Sequence, residues 1–264
     1  MTSTWSGGVV SDRATCVLAP NAGPMTLDGT NTWVLVEPAG HRALVVDPGA
    51  DDERHLCAVL DLVRARDARV SAVLLTHAHA DHSAGAAWLA ARCGAPVRAL
   101  DPAYRLGGEG LHDGEVVSVG DLTVHVVATP GHTADSLSFL LPADRAVLTG
   151  DTVLGRGSTV VAHPDGRLRD YLHSLELLRR NASEIGVERI LPGHGPPLDD
   201  LQTTIERYVA HRRERLEQVR LAFEAGARTA PQIVELVYAD VDRQLWRAAE
   251  LSVAAQLEYL REQA

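Results

Sequence analysis

Three imidazoles and a carboxylate crowd one short run, Thr76-His77-Ala78-His79-Ala80-Asp81-His82, directly behind the apolar stretch Val70–Leu75. Gathering them against an apolar strand is costly, because each desolvated imidazole or unpaired carboxylate loses several kcal/mol of hydration. A divalent cation between them turns that cost into ligation. The run therefore marks a metal site, and it carries more ligating groups than one ion uses, which points to two. Three further places put such a group just past an apolar strand. Val124–Thr129 leads to Pro130-Gly131-His132, Ala146–Leu148 to Thr149-Gly150-Asp151, and Ile190-Leu191 to Pro192-Gly193-His194-Gly195. Each stands beside Gly or Pro, which let the backbone turn closely. Four strand ends delivering side chains to one sheet edge make a rigid site. Asp47, in Val45-Val46-Asp47-Pro48-Gly49, ends another strand, although Asp before Pro-Gly is also a common turn residue.

His77, His79, Asp81 and His82, followed by His132, Asp151 and His194, resemble in identity and order the ligand set of the metallo-β-lactamase superfamily in its two-metal hydrolase form. The resemblance runs from about Thr26 to Pro197. It implies a four-layer αββα sandwich with the metals at one edge. It implies that His77, His79 and His132 hold one metal, that Asp81, His82 and His194 hold the other, and that Asp151 bridges them. Asp81 and Asp151 are then the catalytic carboxylates, and Asp47 supports the site from behind its ligands. Two cations roughly 3.5–4 Å apart share a water and lower its pKa toward ~7, giving hydroxide at neutral pH. Imidazole suits Zn²⁺, while carboxylates also accept Mn²⁺ or Fe²⁺.

The Gly-rich loop Gly155–Pro164 leaves the metal edge after Asp151 and offers Arg156, Ser158 and His163 as candidate substrate contacts, although a surface loop carries polar residues in any case. His41, His55, His112, His125, His173 and His211 are scattered and read as ordinary structural histidines.

The elements that must position these residues follow from periodicity. Thr32–Val36 and Ala43–Val46 read as a strand hairpin, Asp52–Arg66 as a helix with Leu56, Val59, Leu60 and Val63 on one face, and Val70–Leu75 as a strand. Ser83–Arg92 reads as a helix with Ser83 as N-cap and Gly94 as stop. Short strands follow at 96–100, 116–119, 122–128, 137–141 and 146–148, then a helix over 170–180, so the class is mixed α/β. After Pro197 the pattern becomes nearly continuous helix: 201–225, a short helix opened by a capping box at Thr229, and a last helix to about Arg261, capped by Asp240 or Asp242. The division expected is a catalytic domain over 1–200 and a helical domain over 201–264. The latter resembles the winged-helix appendage of the lactamase-beta-2-like subgroup, although no strand pair for a wing is evident.

Composition narrows the partners. At 264 residues, with 45% hydrophobic side chains, the chain suits one large domain with a small appendage. No apolar run approaches a membrane span. Residues 1–8 lack the basic start and apolar core of a signal peptide. The unevenly spaced Cys16, Cys57 and Cys93 read as reduced, with Cys57 and Cys93 on apolar helix faces, so the expected location is cytoplasmic. The net charge is −10 and all 25 basic residues are Arg, so no strong basic field gathers polyanions. Arg212-Arg213-Glu214-Arg215 is the one basic knot and reads as a solvated helix face. The sequence thus predicts a cytoplasmic metal-dependent hydrolase of an ester, thioester or phosphodiester. A single-strand endoribonuclease and a glyoxalase-II-like thioesterase are the alternatives within the superfamily. A metal-stapled scaffold and a duplex-DNA regulator acting through the helical tail are the readings outside it. Oligomer formation stays open.

Overall fold

A computed structural model describes residues 4–263, apart from the side chain of Ala182. The first sheet has six strands in chain order: β1 (Gly8–Val9), β2 (Ala14–Leu18), β3 (Asn31–Val36), β4 (Arg42–Val46), β5 (Arg69–Leu74) and β6 (Val97–Arg98). Three helices accompany it: α1 (Glu53–Ala65), α2 (Ala80–Ser83) and α3 (Ala86–Cys93). The second sheet is built from β7 (Val116–Val119), β8 (Leu122–Ala128), β9 (Leu137–Leu141), β10 (Ala146–Gly150), β11 (Arg189–Pro192) and β12 (Leu198–Asp199), also as sequential neighbours. Four further helices complete the chain: α4 (Leu168–Ile185), α5 (Leu201–Glu224), α6 (Ala230–Val237) and α7 (Trp246–Gln263).

Strand periodicity explains the layering. In β3, Trp33 and Leu35 face the core between the sheets, while Val34 and Val36 face α1 and α3. In β10, Ala146 and Leu148 point between the sheets and Val147 points toward α4. Apolar side chains on both faces demand cover on both, which gives helix, sheet, sheet, helix. On α1, Leu56, Val59, Leu60 and Val63 form the buried stripe, and the Asp52 carboxylate caps the helix by accepting from the His55 amide at 2.9 Å.

The direction of pairing matters most for function. β4 pairs parallel with β5, and β10 pairs parallel with β11. β9 runs antiparallel to both β8 and β10, so β8, β10 and β11 share one direction. Their C-terminal ends reach a common edge, where the two sheets are stitched by Asn31 N–H to Gly193 O (2.7 Å) and Leu137 N–H to Thr76 O (2.7 Å).

Three expectations are corrected. The helix expected over Ser83–Arg92 is two pieces, because the chain is held at Gly85. The Gly85 amide donates to Gly49 O at 3.0 Å, and a side chain there would meet Leu56 Cδ2 at 2.8 Å. Ser83 therefore caps nothing, and its hydroxyl donates to Ala78 O at 3.0 Å. Gly94 does end the helix, in the left-handed conformation with φ 67°. Cys57 is exposed rather than packed, Cys93 is half-buried and Cys16 is buried, all three as free thiols. Arg212 does not lie on a solvated face. It is only 7% exposed.

In the tail the capping box at Thr229 is formed, and Asp242 caps a 3-10 turn (Arg243–Leu245) that runs into α7. Among the described residues no strand follows β12. The first half of α5 packs with α4 and the second sheet through Leu201, Ile205 and Tyr208. Its second half packs with α6 and α7 through Val219 and Ala222. No described helix is long and apolar enough to cross a membrane.

Candidate metal centre

The shared edge collects every side chain singled out as a ligand. His77, His79, Asp81 and His82 follow β5, His132 follows β8, Asp151 follows β10, and His194 follows β11. Their ligating atoms form three overlapping clusters: His77 with His79 and His132; His77 with His82 and Asp151; Asp81 with His82 and His194. His79 Nδ1 lies 3.0 Å from His77 Nε2 and 3.1 Å from His132 Nε2, and His82 Nε2 lies 3.2 Å from His194 Nε2. Asp151 spans the clusters, with Oδ1 3.4 Å from His82 Nε2 and Oδ2 3.3 Å from His194 Nε2 and 3.7 Å from His132 Nε2. Asp81 Oδ2 lies 3.2 Å from His194 Nε2 and 3.4 Å from His82 Nε2.

The outward ring nitrogens settle which face each imidazole presents. Thr76 Oγ1 donates to Asp47 Oδ2 (2.7 Å) and so accepts from His77 Nδ1 (2.9 Å). His82 Nδ1 donates to Asp47 Oδ2 (2.9 Å), His132 Nδ1 to Val160 O (2.6 Å) and His194 Nδ1 to Gly29 O (3.1 Å). With those protons committed outward, the four Nε2 atoms point inward, facing one another or a carboxylate. Asp151 Oδ1 is buried with no hydrogen-bond partner. Ring nitrogens converging with an orphaned carboxylate oxygen need positive charge among them, and the spacing and donor types fit divalent metals, which would displace any ring proton there.

Local backbone chemistry makes this convergence possible. Asp47 adopts φ 52°, a left-handed conformation that Asp tolerates better than most residues, and its Oδ1 also accepts from the Thr76 amide at 2.8 Å. One carboxylate thereby fixes both the turn after β5 and the ring of His82. At Gly193 a Cβ would sit 2.5 Å from Asp151 Oδ1 and 2.8 Å from His82 Cε1, so only glycine lets these groups approach. Asn31 braces the His194 turn by donating to Pro192 O (2.9 Å) and Gly195 O (2.8 Å).

Electrostatics divides the cluster. Burial, reinforced by the neighbouring His82, His132 and His79, pushes His77 well below its ordinary pKa, and burial lowers His132 too. Burial also opposes charge on His194, but Asp151 and Asp81 outweigh it and raise its pKa to about 9; Asp151 and Asp47 raise His82 in the same way. Burial disfavours the charged Asp81, yet His194 and His82 bring its pKa down to about 2. Asp151 is held well below the carboxylate range by the same two rings, against the effect of its burial. The carboxylates are thus ionised at neutral pH.

His79 and Asp81 are the open side; the other five ligand candidates are buried. From His132 and Asp151 a cavity of about 320 Å³ extends between the Gly-rich loop, the loop carrying Met25 and Leu27, and the tail helices. Arg156 and Ser158 line it, and Arg156 also pairs with Asp28. His163 is directed elsewhere, its Nδ1 3.2 Å from Glu258 Oε2 on α7. Sequence reasoning missed Thr76, Asn31 and the cavity residues His211 and Arg212. Arg212 had a signal, since it continues the buried α5 series Leu201, Ile205, Tyr208 and Val219 at helical spacing. A larger open trough of about 810 Å³ surrounds Arg13 and Arg189, remote from the metal edge. Its charges pair with each other, Arg13 with Glu37 (2.7 Å) and Asp144 (2.8 Å), and Arg189 with Asp199 (3.1 Å).

Residues 25–194 match the metallo-beta-lactamase superfamily. The chain belongs to that superfamily. Residues 229–263 match the beta-lactamase associated winged helix domain, so the tail resemblance holds as well. A relative named atrochrysone carboxyl ACP thioesterase, from Aspergillus fumigatus, is 33% identical over 246 residues, covering 87% of this chain and 75% of the relative. The beta-lactamase-like protein 2 homolog of Caenorhabditis elegans is 32% identical, covering 88% of this chain and 78% of the relative. In fold, the chain is similar to a beta-lactamase domain protein from Burkholderia ambifaria (TM-score 0.79, 24% identity, 97% of this chain and 88% of that one). A metallo-beta-lactamase family protein from Thermus thermophilus is comparable (TM-score 0.76, 24% identity, 95% and 93%). This protein is thus a hydrolase of the metallo-beta-lactamase superfamily, with a His/Asp cluster that fits the two divalent metals of such a site.

Proposed function

We infer that the protein hydrolyses thioesters of small carbon-rich acyl groups. The observation that carries this reading is the cavity that opens from His132 and Asp151, because its walls include Met25, Leu27, Leu154, Val160, Val241 and Leu245. Such a wall gains by burying hydrocarbon, and a cavity of about 320 Å³ suits one small molecule rather than a groove that tracks a nucleic-acid strand over several nucleotides. The thioesterase named among the relatives supports the same direction. In this reading His77, His79 and His132 hold one metal, Asp81, His82 and His194 the other, and Asp151 reaches both. Zn²⁺ suits the five imidazoles best, with Mn²⁺ or Fe²⁺ as alternatives. Bound there, the cations supply Lewis acidity that acidifies water and polarises the substrate carbonyl.

The protein's own groups do the rest. Asp47 fixes the tautomer of His82 and, through Thr76, that of His77. Asp81, on the open side of the centre with Oδ2 3.2 Å from His194 Nε2, would orient water on that side. The carbon-lined walls exclude bulk water from the acyl half, which strengthens every electrostatic interaction at the carbonyl. Residues 1–200 carry the chemistry, and residues 201–264 close the cavity. Three free thiols support a reducing, cytoplasmic setting. The test is thiol release from a series of acyl thioesters by the Zn- and Mn-loaded protein, with Asp151→Ala beside it. Metal-dependent release that disappears in the variant supports the reading. Cleavage of labelled single-stranded RNA without thioester turnover replaces it with the endoribonuclease alternative.

A further inference from the structure

We propose that the α5 wall of this cavity is a seat for an oxyanion carried by the substrate, a carboxylate or phosphate held by Arg212 with help from His211 and Arg215. The proposal rests on the reading that the cavity receives substrate. All three residues line the cavity and lie on one side of α5 at i, i+1 and i+4. Arg212 is the decisive one. It is 7% exposed, its Nη2 donates to Thr159 O, and its guanidinium carbon stands 5.1 Å from the Tyr171 ring centroid. Its Nε is buried without any hydrogen-bond partner, and so is His211 Nδ1. Arg215 donates to Val237 O (2.8 Å) and Gln218 Oε1 (2.9 Å) and stacks on Tyr238, which neutralises none of its charge.

Among the described residues no carboxylate pairs with any of the three. Arg212 is the only arginine buried among the described residues; the half-buried Arg13 pairs with Glu37 and Asp144 and Arg98 with Glu115, while the half-buried Arg105 is spent on the carbonyls of Ala99 and Leu100. A buried guanidinium without a counter-ion is costly, and a planar donor fork is completed by two oxygens of one anion. His132 and Asp151 line the same cavity of about 320 Å³, so the oxyanion and the scissile carbonyl belong to one small substrate. The apolar walls between them bury the chain that joins the two ends.

The anion has two sources, an acyl half ending in carboxylate or a phosphate-bearing thiol half, and the experiment separates them. Four thioesters are compared on the metal-loaded full chain: the glutaryl and valeryl esters of N-acetylcysteamine and of coenzyme A. A preference of about 30-fold in kcat/KM for glutaryl over valeryl, whatever the thiol, assigns the acyl carboxylate; the same preference for coenzyme A over N-acetylcysteamine, whatever the acyl group, assigns the phosphate. Arg212→Gln is expected to erase the preference, leaving the uncharged valeryl N-acetylcysteamine ester within about threefold of wild type. Because Arg212 is buried, Arg215→Gln and His211→Phe are made as well, each expected to lose several-fold on the anionic substrate alone. Equal rates on all four esters, or losses that fall equally on all four, overturn the seat. Calorimetric titration with glutarate and with inorganic phosphate covers the case in which no thioester is cleaved. Binding that weakens about tenfold or more in Arg212→Gln or Arg215→Gln at unchanged metal content upholds the seat while the thioesterase reading fails, and affinities unaffected by the substitutions reject the seat itself.

Discussion

The metal edge and the α5 wall face the same cavity but are built in opposite ways. At the edge, four of the five imidazoles have the ring nitrogen that points away from the cluster tied to a fixed acceptor, Thr76, Asp47, Val160 or Gly29. Along α5, Arg212 Nε and His211 Nδ1 have no acceptor at all. The first pattern is pre-organisation for ions that stay, since four of the five rings are aimed before they arrive. The second leaves hydrogen-bonding capacity for something that comes and goes with turnover. The signs of charge differ accordingly, ionised Asp81 and Asp151 on one side and unpaired arginines on the other.

That contrast is breakable by substitution, and the largest effect belongs to the edge. Asp151→Ala removes the one carboxylate that reaches both clusters, so the bound metal is expected to fall from two per chain to one or fewer, and turnover by on the order of a thousandfold. Elemental analysis and thiol release measure the two together; full activity at full metal content would contradict the bridging role. Asp47→Asn keeps the shape but weakens the hold on His82 and Thr76, and should lower metal affinity roughly 10- to 100-fold in a chelator competition. Arg215→Gln sharpens the distinction, because it should leave metal content unchanged while anion affinity falls.

The smallest effect comes from a histidine outside both regions. His55 is buried with Nε2 2.8 Å from Thr32 Oγ1, and burial lowers its pKa below 6.5. A proton therefore binds the unfolded chain more readily than the folded one. The associated stability is complete above about pH 6.5 and declines as pH falls below it. His55→Gln should flatten the acid-side slope of Tm by about 1–2 °C, readable by differential scanning calorimetry.

The gathering of these seven side chains was legible in the sequence because each follows the end of one of four strands within a few residues, and the strands announce themselves by apolar runs. His77 and His194 are far apart in the chain, but the turn beside each is local. The stripe on α1 and the capping box at Thr229 were legible for the same reason. The break at Gly85 was not, since it depends on a hydrogen bond to Gly49 that only tertiary folding brings near. Arg212 was misjudged because its three charged companions suggested a solvated face, whereas its spacing from Tyr208 and Val219 placed it on the buried side. Thr76 and Asn31 carry no motif of their own and acquire meaning only once the turns they brace are assembled.

One further consequence follows from α5, a single 24-residue helix whose first half packs on the second sheet and whose second half packs on α6 and α7. The sandwich borrows an outer wall from the same rod that anchors the tail, so loosening one part is expected to weaken the other. Chimeras that exchange the tail with a relative's should fold best when the crossover spares the entire rod.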